Sequence, residues 1–218
     1  MQLVLTPELI TGAYSQGLFP MAYSAHSPYV HWICPEMRGQ LPIEHLHIPK
    51  RLEKTLRHAP FEIRINTAFA EVIAACAAKT PNRPESWINE SIAKVFIQLH
   101  ERGAAHSLEC WKDNQLIGGI YGLAIGGVFF GESMFSRQRD ASKIALVHLT
   151  ARLWKGRFTV FDTQFINDHL KQFGAYEMPY AEFKKLLESE VRKEADFILK
   201  GLEQSEILEE YSSRHCER

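Results

Sequence analysis

Residues 105–135 carry three runs of β-type residues, AHSLECW, QLIGGIYGLAI and VFFGESMF, separated only by KDN and GG. Asp, Asn and Gly tolerate the positive φ that tight hairpin turns demand, so the three runs are predicted to pair as an antiparallel meander. The next segment, ASKIALVHLTARLWKG, is apolar nearly all round, which suits a buried helix. Asp140 stands where it can cap that helix, and FTVFDTQF reads as another inner strand. Upstream, PELITGAYSQG reads as a short helix stopped by Gly17, and the aromatic FPMAY and HSPYVHWICPEMRGQLP as irregular chain. Pro49 opens a helix that Pro60 ends, residues 61–65 alternate like a strand, and TAFAEVIAACAAK and INESIAKVFIQLHERG have helical periodicity. NDHLKQFGA and YAEFKKLLESEV add a short helix and a longer charged one. The order predicts an α+β fold, arranged as in acetyltransferase-like domains.

At 218 residues and 45% hydrophobic content the chain suits one large domain or two small ones. It starts with no basic region followed by an apolar run and has no window long enough to span a bilayer, so a soluble, unprocessed protein with no membrane partner is expected. Cys34, Cys76, Cys110 and Cys216 lie far apart without a CxxC pair, which argues against a disulfide framework or a zinc knuckle and fits the cytoplasm. Net charge is only -1, but it is unevenly spread. Between Met37 and Arg64 six bases face three acids, whereas from Glu188 onward nine acids face five bases. The front is basic and the end acidic.

One carboxylate, Glu132, lies between Phe129-Phe130 and Met134-Phe135. Such a group is costly among apolar side chains unless a cation or several donors meet it. Asp162 and Gln164 are two apart on a predicted strand and therefore expected on one face. With Glu132 they would converge beneath an aromatic roof; pairing of Glu132 with Arg137 or Arg139 is the simpler alternative. Phe129, Phe130, Met134, Phe135 and Trp87 suit either a pocket wall or ordinary core. Lys50, Lys54 and Arg57 share a helix face, suited to phosphates or simply to water.

Other chemistries find little support. His45 and His47 have no matching carboxylate or Cys cluster, so no metal site is expected. The glycines of GGIYGLAIGG fit neither a P-loop nor a dinucleotide fingerprint, and there is no GxSxG elbow or cysteine nucleophile signature. No cofactor is expected.

The segments YSQGLFPM, CPEMRGQLP, INTAFAEVIAACA, SWI, LHERGAAHSLECW, QLIGGIYG, FFGESMFSRQRDASKIAL, FDTQFINDHL and FGA together resemble the leucyl/phenylalanyl-tRNA–protein transferase family, in the family's order over roughly residues 10 to 185. The resemblance implies an N-terminal domain (1–60), an acetyltransferase-like (GNAT) catalytic domain (61–188) and a charged C-terminal helix or tail (189–218). It implies a monomeric aminoacyltransferase that moves Leu or Phe, and also Met, from aminoacyl-tRNA to proteins beginning with Arg or Lys, marking them for degradation in bacteria. Glu132, Asp162 and Gln164 would then be catalytic. Trp87, Ile120, Phe129, Met134, Met21 and Tyr14 would hold the substrate, and Lys50, Arg51, Lys54 and Arg57 the tRNA backbone. Met21 stands where the family pattern has Trp, and Tyr180 where it tends to have Arg.

Two rival readings remain. An acyl-CoA acetyltransferase would carry a glycine-containing loop at the start of the helix after the meander, and here that place reads SRQRDASK. A non-catalytic RNA-binding module would account for the basic stripe and leave Glu132, Asp162 and Gln164 unexplained.

Overall fold

A computed structural model describes residues 4–58, 60–80 and 84–216. In chain order the elements are α1 (Pro7–Tyr14), β1 (Phe19–Ala22), β2 (Val30–Ile33), β3 (Met37–Leu41), α2 (Lys50–Arg57), β4 (Glu62–Ile65), α3 (Phe69–Ala77) and α4 (Glu90–Glu101). They continue with β5 (Ala105–Lys112), β6 (Gln115–Ile125), β7 (Val128–Ser136), α5 (Ala141–Lys155), β8 (Val160–Gln164), α6 (Asp168–Lys171), β9 (Tyr176–Pro179), α7 (Tyr180–Glu190) and α8 (Gln204–Cys216).

The meander forms as expected. Asp113 and Asn114 both take positive φ, 49° and 57°, which gives the β5–β6 turn the twist its strands need. Gly126 makes the next turn at φ 57°, where a Cβ would lie 2.3 Å from the Val191 carbonyl oxygen, so the chain after α7 can cross there only over a glycine. The strands belong to a seven-stranded sheet ordered β4-β5-β6-β7-β8-β3-β9. Every neighbouring pair is antiparallel except β7 and β8, which run parallel. The intervening α5 is the crossover such a pair requires.

One side of the sheet packs on α1, α3 and α4 through Ile10, Tyr14, Val72, Ile92, Phe96 and Phe130. The other packs on α5 and α8 through Leu146, Val147, Phe161, Ile207 and Tyr211. Coverage on both sides explains the composition of α5, whose residues Ile144 to Leu153 are all buried.

Two expectations change. Asp140 does not cap α5 with its side chain; its backbone is left-handed at φ 63° and its carboxylate turns to Arg51. The region expected to be irregular contains the hairpin β1–β2, with Met21 opposite His31. Strand β3, which precedes residue 60, is hydrogen-bonded between β8 and β9 and so shares a sheet with strands that follow it. The C-terminal segment, for which both a helix and a tail were expected as possibilities, contains α8, and among its described residues Phe197, Ile207 and Tyr211 are buried, the Tyr211 hydroxyl donating to the Ile43 carbonyl at 2.7 Å.

Candidate active site

Strands β7 and β8 pair over only three residues, the last pair being Phe130 and Asp162. Beyond that point β7 bulges. Gly131 faces Gly122 and Ser133 faces Tyr121, which leaves Glu132 as the extra residue. On the other side β8 ends at Gln164 with φ 60°, and the chain turns back over β3, where Gly39 leaves room. A Cβ on Gly39 would stand 2.8 Å from both the Phe165 carbonyl carbon and Thr163 Oγ1. The parted strands open a cavity of about 320 Å³. Its apolar walls are Phe19, Met21, Trp87, Ile120, Met134, Leu146, Phe161 and Leu170, and Glu132, Thr163, Gln164 and Asn167 supply polar groups.

Gln164 Nε2 lies 3.3 Å from Glu132 Oε1 and donates to it. That contact orients the amide and leaves its carbonyl oxygen as an acceptor. Glu132 is half-buried, and burial pushes its pKa up to about 8. Asp162 adds to the rise, while Tyr14 and Arg38 oppose it. The Tyr14 hydroxyl approaches from the buried side closely enough to favour the ionised carboxylate without reaching hydrogen-bond geometry. Neither arginine considered from sequence meets Glu132: Arg137 Nη1 donates to the Leu116 carbonyl at 2.8 Å, and Arg139 Nε lies 3.8 Å from Asp140.

Asp162 is fully buried and does not line the cavity. It accepts from Arg38 Nε at 2.8 Å, Arg38 Nη2 at 2.9 Å and Gln40 Nε2 at 2.9 Å. The guanidinium lies between the rings of Phe19 and Phe183, with centroids 4.8 and 4.9 Å away, and also donates to the Gly17 carbonyl. Burial raises the Asp162 carboxyl and the guanidinium pulls it back. Asp162 and Gln164, expected on one face, thus differ in access to the cavity, which Gln164 lines and Asp162 does not; the left-handed backbone at Gln164 ends the regular strand there. Arg38 was missed as a site residue. A buried Asp signals a buried cation, but Arg38 lies 124 positions away with nothing local to single it out.

Of the other expected substrate residues, Met21, Trp87, Ile120 and Met134 line the cavity. Trp87 is tied to the hairpin by Ala22 N–H donating to its carbonyl at 3.1 Å. Phe129 does not reach the cavity. It precedes the bulge and packs against Phe158, Phe161 and Phe197 in the core. Tyr14 is likewise core, buried behind Glu132. Phe19, Leu146, Asn167 and Leu170 join the wall without a sequence signal, brought there by the sheet topology.

The basic helix divides into paired and free charges. Arg51 Nη2 meets Asp140 at 3.0 Å and Arg57 Nη2 meets Glu53 at 2.5 Å. Lys50 and Lys54 are exposed and have no ion-pair partner among the described residues.

Residues 40–188 match the family model described as leucyl/phenylalanyl-tRNA protein transferase, and residues 4–36 match that of its N-terminal domain. The chain belongs to the leucyl/phenylalanyl-tRNA–protein transferase family. It is 52% identical to the member so named from Paramagnetospirillum magneticum over 193 residues, 88% of this chain and 92% of that one. The corresponding proteins of Phenylobacterium zucineum and Nitrobacter winogradskyi are 52% and 50% identical, over 86% and 88% of this chain and 85% and 86% of theirs. The two family models meet around the start of β3, well before residue 60, and neither reaches residues 189–218. No helix among the described residues is long and apolar enough to cross a membrane.

Proposed function

We propose that the chain transfers Leu or Phe, and also Met, from aminoacyl-tRNA to the N-terminus of acceptor proteins that begin with Arg or Lys, forming a peptide bond and marking them for degradation. The observation that carries this reading is the Glu132–Gln164 pair at the lip of an apolar cavity of about 320 Å³. Cavities of roughly this size or larger hold small ligands, with apolar walls and a few placed polar groups. The parallel β7–α5–β8 crossover supports an acetyltransferase-like arrangement.

An esterified amino acid carries an α-ammonium beside its carbonyl. In its ionised form Glu132 receives that cation while Met21, Trp87, Ile120 and Met134 enclose the side chain. The acceptor's neutral amine attacks the ester carbonyl carbon, its N–H donating to Gln164 Oε1, which orients the lone pair. The carbon–nitrogen bond forms, the bond to the terminal ribose oxygen breaks, and the amine's proton ends on that oxygen. An N-terminal amine has a pKa of about 8, so a useful fraction is neutral at ordinary pH and the ester supplies the driving force. Holding the two reactants in line accounts for much of the acceleration, up to ~7–11 kcal/mol in well-oriented systems. Asp162 acts through Arg38: their buried pair holds the end of β8 and so the position of Gln164.

Lys50 and Lys54, with Arg51 and Arg57 beside them, would grip acceptor-arm phosphates without reading sequence. The protein acts as a monomer in the cytoplasm. The test is incubation with labelled Phe-tRNA and an Arg-initiated acceptor. Label in protein supports transfer, and its loss in Gln164→Ala supports the assigned role. Acetyl-CoA turnover instead, or tRNA retention without transfer, would overturn the reading.

A further inference from the structure

A second cavity, of about 570 Å³, lies between α2, α5 and α8 and shares no wall residue with the first. Ile48, Leu56, Phe61, Ile63, Ile144 and Leu208 form its apolar wall. The α8 side belongs to the stretch beyond the family model.

The neighbours of one polar group inside fix its chemistry. Arg152 Nη1 donates to Gln204 Oε1 at 2.8 Å, and because a guanidinium only donates, the Gln204 amide has one orientation. Its Nε2 therefore faces His148, donating to the His148 carbonyl at 2.9 Å and lying 3.4 Å from Nδ1. Nδ1 presents its lone pair to that donor, so a neutral His148 carries its proton on Nε2. Burial favours the neutral ring, lowering its pKa to about 4. His148 is only 8% exposed and lines the cavity, and none of the described residues bonds its Nε2. The cavity thus holds a preset N–H donor within an apolar wall.

The rim favours one class of ligand. Arg57 is held by Glu53, while Glu203 and Glu209 are exposed without ion-pair partners among the described residues. Net negative charge at the mouth repels anions. We propose that this cavity is a second binding site, separate from the transfer chemistry, for a small, uncharged, mostly apolar molecule with a carbonyl oxygen that accepts from His148 Nε2. Its volume lies within the range of small-molecule sites.

The experiment is an NMR titration of the full nitrogen-15-labelled chain with 4-phenylbutan-2-one and, separately, with the anion 4-phenylbutanoate. The ketone should produce saturable shifts confined to α2, β4, α5, α8 and the His148 ring, and the anion should bind at least tenfold more weakly. His148→Phe, which keeps a ring and loses the donor, should weaken the ketone at least tenfold. Leu208→Trp, which fills the cavity from α8, should abolish the shifts. Should His148→Phe fail to fold, Leu208→Trp and the anion comparison decide. No localised shifts up to the ketone's solubility, equal binding of ketone and anion, or undiminished binding by a folded His148→Phe would overturn the proposal.

Discussion

Gln164 Nε2 meets Glu132 Oε1 at 3.3 Å across the gap where two parallel strands stop pairing. Each residue reaches that place through an irregularity, a bulge in β7 and a left-handed turn ending β8. The backbone departures are therefore part of the site and can be tested as such.

Glu132 should reveal itself through pH. Its carboxyl is raised from 4.5 to about 8 in the folded chain. A carboxyl raised on folding makes the protein lose stability as pH climbs from the unfolded value, with the loss complete above the folded one. Glu132→Gln should match the native protein near pH 4.5 and exceed it at pH 8, measured by denaturant unfolding, by on the order of 4 kcal/mol for the full shift and about half that once solvent screens the partly exposed carboxylate. Transfer should move the other way, with kcat/KM falling about 10²-fold as the carboxylate is lost. The native rate should also climb more steeply than the variant's between pH 7 and 8, because only the acceptor amine still titrates in the variant.

The backbone at Gln164 separates shape from chemistry. A non-glycine residue at φ 60° stores strain. Gln164→Gly should be more stable than Gln164→Ala by about 0.5–1 kcal/mol, yet both should lose transfer alike. Recovery of transfer in Gln164→Gly would mean that the amide does no chemistry.

Breaking the Arg38–Asp162 pair should be costly. Both side chains are fully buried, and removing one partner from a buried pair typically costs about 3–5 kcal/mol. Arg38→Met and Asp162→Asn should each lower stability by that order in urea. The double variant should cost less than the sum, since neither charge is then left alone.

On the basic helix the free lysines should matter more than the paired arginines. Reversing Lys54 should weaken tRNA retention and lower the slope of log affinity against log salt by about one. Arg57→Gln should do less, because Glu53 already holds that charge. Equal effects, seen in filter binding at several salt concentrations, would count against the division.

What the sequence made legible was local. The turn at Asp113–Asn114, the helices α3 and α4 and the buried α5 each follow from a spacing or a turn residue within a few positions. Glu132 and Gln164 could be placed near the ends of recognisable strands and were expected to converge with Asp162, but the contact between them spans 32 positions and no local spacing sets it. What stayed hidden depends on partners far along the chain. The strands β3 and β9 are short and have meaning only beside each other. Phe129 reads like Met134, but Phe129 lies where β7 still pairs with β8 and is core, whereas Met134 lies beyond the last pair and lines the cavity. Asp162 looked available because its cation, Arg38, was indistinguishable from other basic residues nearby.

The insertion of β3 between β8 and β9 has a consequence for synthesis. As the chain leaves the ribosome, Arg38 emerges with its carboxylate still 124 residues from being made. Until then the slot it will fill does not exist, and loop closure over such a separation is slow. Nascent chains that end between Ser136 and Asp162 have their N-terminal hairpin and meander but no finished sheet, and are the forms most in need of a chaperone's protection.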